Sequence, residues 1–196
     1  MDISNEEPEK EIQKKIDELK KQLPKKVRKP KRLPVAISED EFDSLLKATK
    51  LKHHKLAFLL GYASGLRISE VLHLERRHFD LSKKVILVEQ GKGGKDRTVP
   101  LPKGFQENYL KLLPIHCGKR ALEKAFKSTA KRAGLLEVKP TLHFHSLRHG
   151  FATKNVSKGM AIHHLRTLMG HSNISTTNVY LEANPKDALK SYEDLF

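Results

Sequence analysis

The alternation of apolar and polar positions changes period three times along the chain. Near the start, Ile12, Ile16, Leu19 and Leu23 recur at intervals of 4, 3 and 4, the seam of a short amphipathic helix. From Ser38 onward the pattern is that of a packed domain. Ser38-x-x-Glu41 is a capping box that opens a helix running to about Lys50. Residues 53–64 are rich in Leu, Ala and Phe, which predicts a buried helix that Gly65 interrupts, and Ser69 to His78 predicts another. The period then drops to that of a strand. Lys84-Val85-Ile86-Leu87-Val88 and Arg97-Thr98-Val99-Pro100-Leu101 predict an antiparallel pair. The Gly-rich segment Gly91-Lys92-Gly93-Gly94-Lys95-Asp96 turns between them. The remainder predicts helices at about 104–113, 119–133, 145–157, 161–169, 174–182 and 186–195. The expected fold class is therefore mainly α with a small antiparallel β-sheet, and no internal repeat is present.

Charge divides the chain in two. Positions 1–18 hold seven acids and three bases, and positions 19–34 hold eight bases and no acid. Pro24, Pro30 and Pro34 break up the basic stretch, as in an extended linker. The expected organisation is a charged helix with a basic, Pro-containing linker over 1–34, then a catalytic domain over 35–196. The whole chain carries 38 Lys+Arg against 23 Asp+Glu, a net charge of +15. A balance that basic favours a nucleic-acid partner, whose phosphates supply the opposing charge. Lys25, Lys26, Arg28, Lys29, Lys31 and Arg32 are the expected DNA-binding arm. If they lie along the phosphate backbone, deleting 19–32 flattens the salt dependence of binding.

Composition narrows the class further. Hydrophobic residues make up 38% of the chain, and no apolar run approaches the roughly 20 residues of a membrane span. The N-terminus lacks the apolar core of a secretory signal, so a cytoplasmic, nucleoid-associated protein is expected. Cys117 is the single cysteine, which rules out an internal disulfide and a Cys-rich zinc site. The pairs His53-His54, His143-x-His145 and His163-His164 have no Cys or acid at the spacing that would complete a tetrahedral set. His143, His149, His163 and His164 read instead as packing or DNA-facing residues.

Breaking a DNA phosphodiester without a metal needs a nucleophile, fixed cations for the non-bridging oxygens, and a proton for the leaving oxygen. A metal-dependent nuclease would need clustered carboxylates, and the segments 61–80 and 140–182 offer none at that spacing. Two arginines stand near predicted helix starts. Arg67 lies in Gly65-Leu66-Arg67-Ile68-Ser69-Glu70, and Arg148 in His145-Ser146-Leu147-Arg148-His149-Gly150. A planar guanidinium can grip two phosphate oxygens at once. Glu70 is one helical turn beyond Arg67 and can buttress it, and His145 is one turn before Arg148. His171 follows Gly170 at an expected helix end. Tyr180, with an ordinary pKa of about 10, would need such neighbours to ionise. Each arginine alone fits a solvated helix face equally well. Tyr180 alone fits a packing role, as do Tyr62, Tyr109 and Tyr192.

Taken together, the motifs resemble the tyrosine recombinase and phage integrase family, close to its Xer-type members. The matching stretches are Gly65 to Val71, Gly91 to Leu101, His145 to Thr153, and Leu168 to Thr177 followed by Tyr180. Order and spacing agree over roughly residues 35–196. The resemblance implies a tyrosine recombinase catalytic-domain-like helical fold. It implies a site-specific recombinase or integrase that cuts and rejoins DNA with neither metal nor ATP, so no cofactor is expected. Tyr180 would form a 3′-phosphotyrosyl link, and Arg67 and Arg148 would clamp the scissile phosphate. Lys92 would protonate the leaving 5′ oxygen, with Lys95 able to substitute. His145 would accept the tyrosine proton, His171 would hydrogen-bond the phosphate, and Glu70 would support the site. Double-stranded DNA is the implied partner, with self-association on DNA, as tetramers in relatives, and no membrane partner. The tail 184–196, with Leu189, Tyr192, Leu195 and Phe196 on one face, resembles the family's last helix, which in relatives often packs into a neighbouring protomer. The family's N-terminal DNA-binding domain has no counterpart in 1–34, so a reduced grip on DNA is expected. Two other readings use the same residues: a DNA-binding regulator of this fold without strand exchange, and relaxation of DNA in the manner of a type IB topoisomerase.

Overall fold

A computed structural model of the chain describes residues 11–15, 18, 34–89 and 96–170. The basic arm, the 91–95 turn with Lys92 and Lys95, and everything from His171 onward, including Tyr180 and the tail, lie outside the described residues. The chain divides into two compact units, Met1–Arg32 and Leu33–Phe196. In the first, residues 11–15 and 18 are helical and exposed.

The second unit is helical with one small sheet. Helix α1 (Glu39–Ala48) begins on the predicted capping box. Ser38 Oγ accepts from Glu41 N at 3.2 Å, and Glu41 Oε2 accepts from Ser38 N at 2.7 Å. Helix α2 (Lys52–Ala63) supplies the centre, with Leu56, Ala57, Phe58 and Leu60 fully buried. Its end is fixed by Gly65. There φ is +66°, and a Cβ would sit 2.6 Å from Phe151 Cδ1, so both backbone and space demand glycine.

The predicted 69–78 helix is two pieces. Helix α3 covers Ile68–His73, and a 3-10 turn covers Arg76–His78. Glu75 between them is extended, and its N–H donates to His78 Nδ1 at 2.8 Å instead of continuing the helix. Strand β1 (Phe79–Asp80), which the pattern did not reveal, pairs with β2 (Val85–Val88), and β2 with β3 (Arg97–Pro100), all antiparallel. Two residues are too short to show a period of two. The register places Ile86 opposite Val99, both buried, so this face of the sheet lies on the core. Ser64 Oγ donates to Pro100 O at 2.7 Å and ties the sheet to the end of α2.

The segment expected as a helix at 104–113 is a 3-10 stretch, Glu107–Leu112. Helix α4 (Lys119–Arg132) and a short α5 (Leu135–Val138) follow, then α6 (His145–Ser157) and α7 (Ile162–Met169). Phe58 of α2, Phe126 of α4 and Phe144 beside α6 meet edge-on, with centroids 5.5, 6.1 and 6.3 Å apart. Each such buried ring contributes about 1.5–3 kcal/mol relative to exposure. Gly61 lets α6 approach α2 closely, since a Cβ there would lie 3.1 Å from Leu147 Cδ1. The core thereby brings the Gly65 turn before α3 and Arg148 near the start of α6 together, 83 residues apart in sequence, and α7 packs beside them.

Candidate active site

Arg67 is the residue that precedes helix α3, in extended backbone. Glu70, in the first turn, reaches back to it twice. Glu70 Oε2 accepts from Arg67 N at 2.8 Å, and Oε1 accepts from Arg67 Nη1 at 2.7 Å. The carboxylate thus satisfies an orphan amide at the helix start and aims the guanidinium in one stroke. The buttress expected from the three-residue spacing is present.

The same carboxylate holds a second arginine, Arg97, which lies in the Gly91 to Leu101 motif and has no role under the resemblance. Arg97 of β3 donates from Nη1 to Glu70 Oε1 at 3.0 Å and from Nη2 to Glu70 Oε2 at 2.8 Å, a two-pronged pairing. Side chains of Glu70 and Arg97 are each 8% exposed, against 19% for Arg67. Burial alone would raise the Glu70 pKa. The hydrogen bonds and charge of Arg97, with the amide and guanidinium of Arg67, outweigh it and bring the carboxyl down to about 2.

Arg148, on the second turn of α6, is fully buried. Its Nη1 donates to Gly65 O at 2.5 Å and its Nη2 to Met169 O. The αL turn at Gly65 therefore does more than end a helix: it directs a carbonyl at this guanidinium. Nothing in the sequence marks Arg148 as buried, because a charged residue in a helix is ordinarily exposed.

Three arginines converge on the last residues of α7. Arg97 Nε donates to Leu168 O at 2.9 Å, Arg148 Nη2 to Met169 O, and Arg67 Nη2 to Gly170 O at 3.3 Å. The carbonyls at a helix C-terminus lack intrahelical donors and carry the negative end of the dipole. Here consecutive carbonyls are each met by a guanidinium from a different element. Gly170 adopts φ +60°, and a Cβ there would lie 3.0 Å from Arg97 Cδ. The Gly before His171 is thus fixed by the backbone and by Arg97 beneath it.

His145 opens α6 and is largely enclosed. Its ring lies edge-on to that of His149 at 4.7 Å, with the His143 ring 6.3 Å away on another side. Burial, then the charges of Arg148, His143 and Arg67, depress its pKa to about 4, against a small opposing pull from Glu70. The imidazole is neutral at physiological pH. Three guanidinium charges against the one Glu70 carboxylate leave this region at +2, which suits a phosphodiester. Of the expected site residues, Arg67, Glu70, Arg148 and His145 are drawn into one region. Lys92, Lys95, His171 and Tyr180 are outside the described residues, as is the arm from Lys25 to Arg32.

Residues 36–187 match the model of the phage integrase family. The chain belongs to that family. It is 34% identical over 197 residues to the tyrosine recombinase XerA of Thermococcus kodakarensis, covering 90% of this chain and 67% of the relative. It is 33% identical over 182 residues to XerA of Pyrococcus horikoshii, covering 84% of this chain and 62% of the relative. The chain thus spans about two thirds of the length of these tyrosine recombinases. Among solved structures, a XerA recombinase superposes with a TM-score of 0.69 and 27% identity, over 88% of this chain and 66% of that one. A XerH site-specific recombinase, bound to palindromic difH substrate in a post-cleavage complex, has a TM-score of 0.68. At 23% identity over 82% of this chain and 53% of that one, it is a likeness of fold alone. The mainly helical fold with a small antiparallel sheet, expected from the sequence, is the fold of tyrosine recombinase catalytic domains. Among the described residues, no helix is long and apolar enough to cross a membrane.

Proposed function

We propose that the chain cleaves and rejoins double-stranded DNA as a site-specific tyrosine recombinase. The single observation that carries this is the convergence of Arg67 and Arg148 on the backbone that leads directly into His171, with the neutral His145 in the same region. In this reading the Tyr180 hydroxyl attacks the scissile phosphorus and forms a 3′-phosphotyrosyl bond. The bond to the 5′ oxygen breaks. The tyrosine proton passes to His145, and Lys92, or Lys95 in its place, donates a proton to the departing 5′ oxygen. Arg67, Arg148 and His171 hold the non-bridging oxygens as charge builds on them. A 5′ hydroxyl from a second strand then reverses the step. The phosphotyrosyl bond keeps the energy of the phosphodiester, so the cycle needs no nucleotide. The basic 25–32 arm supplies phosphate contacts, and copies of the chain assemble on the DNA. A protein acting this way resides with the chromosome in the nucleoid.

The test uses a library of nicked suicide duplexes with randomised cores, incubated with the full chain in EDTA. A covalent adduct that survives detergent and vanishes in Tyr180→Phe is expected. No adduct across the library would leave a DNA-binding regulator as the better reading, and an adduct that persists in Tyr180→Phe would reassign the nucleophile.

A further inference from the structure

The side chain of Arg97 is largely buried, and the proposed chemistry gives it no task. Its three guanidinium nitrogens are all engaged with protein: Nη1 and Nη2 with Glu70, Nε with Leu168 O. At 8% exposure it is poorly placed to meet a phosphate itself. What it touches, however, is the support of groups that are better placed. Glu70 receives four donors, two from Arg67 and two from Arg97. The Arg67 pair holds one carboxylate oxygen through a fixed backbone amide and the other through the Arg67 side chain itself, so that pair cannot alone set where the side chain points. The Arg97 fork fixes the carboxylate plane, and that plane fixes where the Arg67 guanidinium points. Through Nε and its aliphatic stem, the same residue also sets the end of α7, against Leu168 O and under Gly170.

We infer that Arg97 is a positioning residue of the active site, orienting Arg67 through Glu70 and holding the α7 terminus from which His171 departs. The inference rests on the recombinase reading for its catalytic consequence but not for its geometry. Lysine cannot replace it. An ammonium on a flexible stem has no planar fork for two carboxylate oxygens, and its donors radiate from one nitrogen instead of the three that meet Glu70 and Leu168 O here.

The experiment compares the full-length chain with Arg97→Lys, Glu70→Gln and the double variant. Pre-steady-state adduct formation on a duplex recovered from the suicide library separates the rate constant from the amplitude. A purely structural residue lowers the melting temperature and the active fraction, leaving the rate constant of the folded molecules unchanged. A positioning residue lowers the rate constant. For Arg97→Lys the expected fall is about 10- to 100-fold, with DNA affinity within about threefold of wild type. The double variant should be little slower than the worse single one, because both act through one pairing. Nitrogen-15 NMR without DNA is the second arm. Separate, slowly exchanging Arg67 η signals, assigned by their loss in Arg67→Lys, should merge in Arg97→Lys. A wild-type rate constant in Arg97→Lys, multiplicative losses in the double variant, or unmerged Arg67 signals would overturn the inference. If the wild-type chain forms no adduct, the recombinase reading fails, and the NMR arm alone decides whether Arg97 orients Arg67.

Discussion

Replacing Glu70 by Gln removes one negative charge from between two guanidinium groups while keeping the shape of the side chain. The structure allows the cost to be worked out. The Glu70 carboxyl is held at about 2 against an ordinary 4.5. At about 1.4 kcal/mol per pH unit, that displacement is worth about 3 kcal/mol of folding stability at pH 7. The side chain is only 8% exposed, so solvent screens little of it. A group whose pKa is depressed by folding contributes fully above the unfolded value and loses its contribution as pH falls through the folded one. The stabilisation is therefore present above pH 4.5, falls to less than half of its full value at pH 3, and disappears below about pH 2. Glu70→Gln should lower the unfolding free energy by about 3 kcal/mol at pH 7, and by less than half of that at pH 3. Urea unfolding of both proteins at several pH values, followed by circular dichroism, measures the gap. A gap that stays constant from pH 7 to pH 3, or one below about 1 kcal/mol at pH 7, would refute the idea that the paired carboxylate is what stabilises this region.

Four further outcomes are expected. His145, with its pKa depressed to about 4, resists protonation in the fold. Stability is lost as pH falls from 6.5 toward 4, and acid titration of His145→Asn should lack that part of the slope. On the wild-type chain, the limb of the adduct rate that reports His145 should stay flat down to about pH 5 and drop near pH 4. Gly170→Ala places a Cβ 3.0 Å from Arg97 at φ +60°, so thermal unfolding should show a loss of about 1–2 kcal/mol, and adduct formation should slow about 10-fold or more. Ser38→Ala removes half of the capping box that opens α1 and touches none of Arg67, Glu70, Arg97 or Arg148, so it should cost about 1 kcal/mol in a thermal melt and leave the adduct rate of the folded chain unchanged.

Local elements were legible wherever a short-range rule governs them. The capping box at Ser38 and Glu41, the run of apolar residues in α2, and the strands on either side of the Gly-rich turn all depend on neighbours within a few residues. They were therefore read with bounds close to those observed. Periodicity misleads where a tertiary contact or a competing local bond overrides it. Residues 69–78 broke into two pieces because the Glu75 amide is taken by the His78 ring, and 104–113 tightened into a 3-10 stretch.

The candidate site residues divide along the same line. Arg67, Glu70, Arg148 and His145 could be named from their motifs, and the Arg67–Glu70 contact followed from a spacing of three on a helix. The partnership of Glu70 with Arg97 spans 27 residues, and that of Arg97 with Leu168 spans 71. No periodicity links positions so far apart. Nor could the sequence tell that Arg148 is buried and Arg67 partly open, since both are arginines near helix starts. The sequence by itself determined which side chains are candidates for the chemistry and which local backbone presents them. Only the packing of α2, α6, α7 and the sheet decided that three guanidinium groups would meet three consecutive carbonyls at one helix end. The reason is physical: helix ends leave carbonyls in need of donors, and which donors arrive is settled by the elements the core brings together.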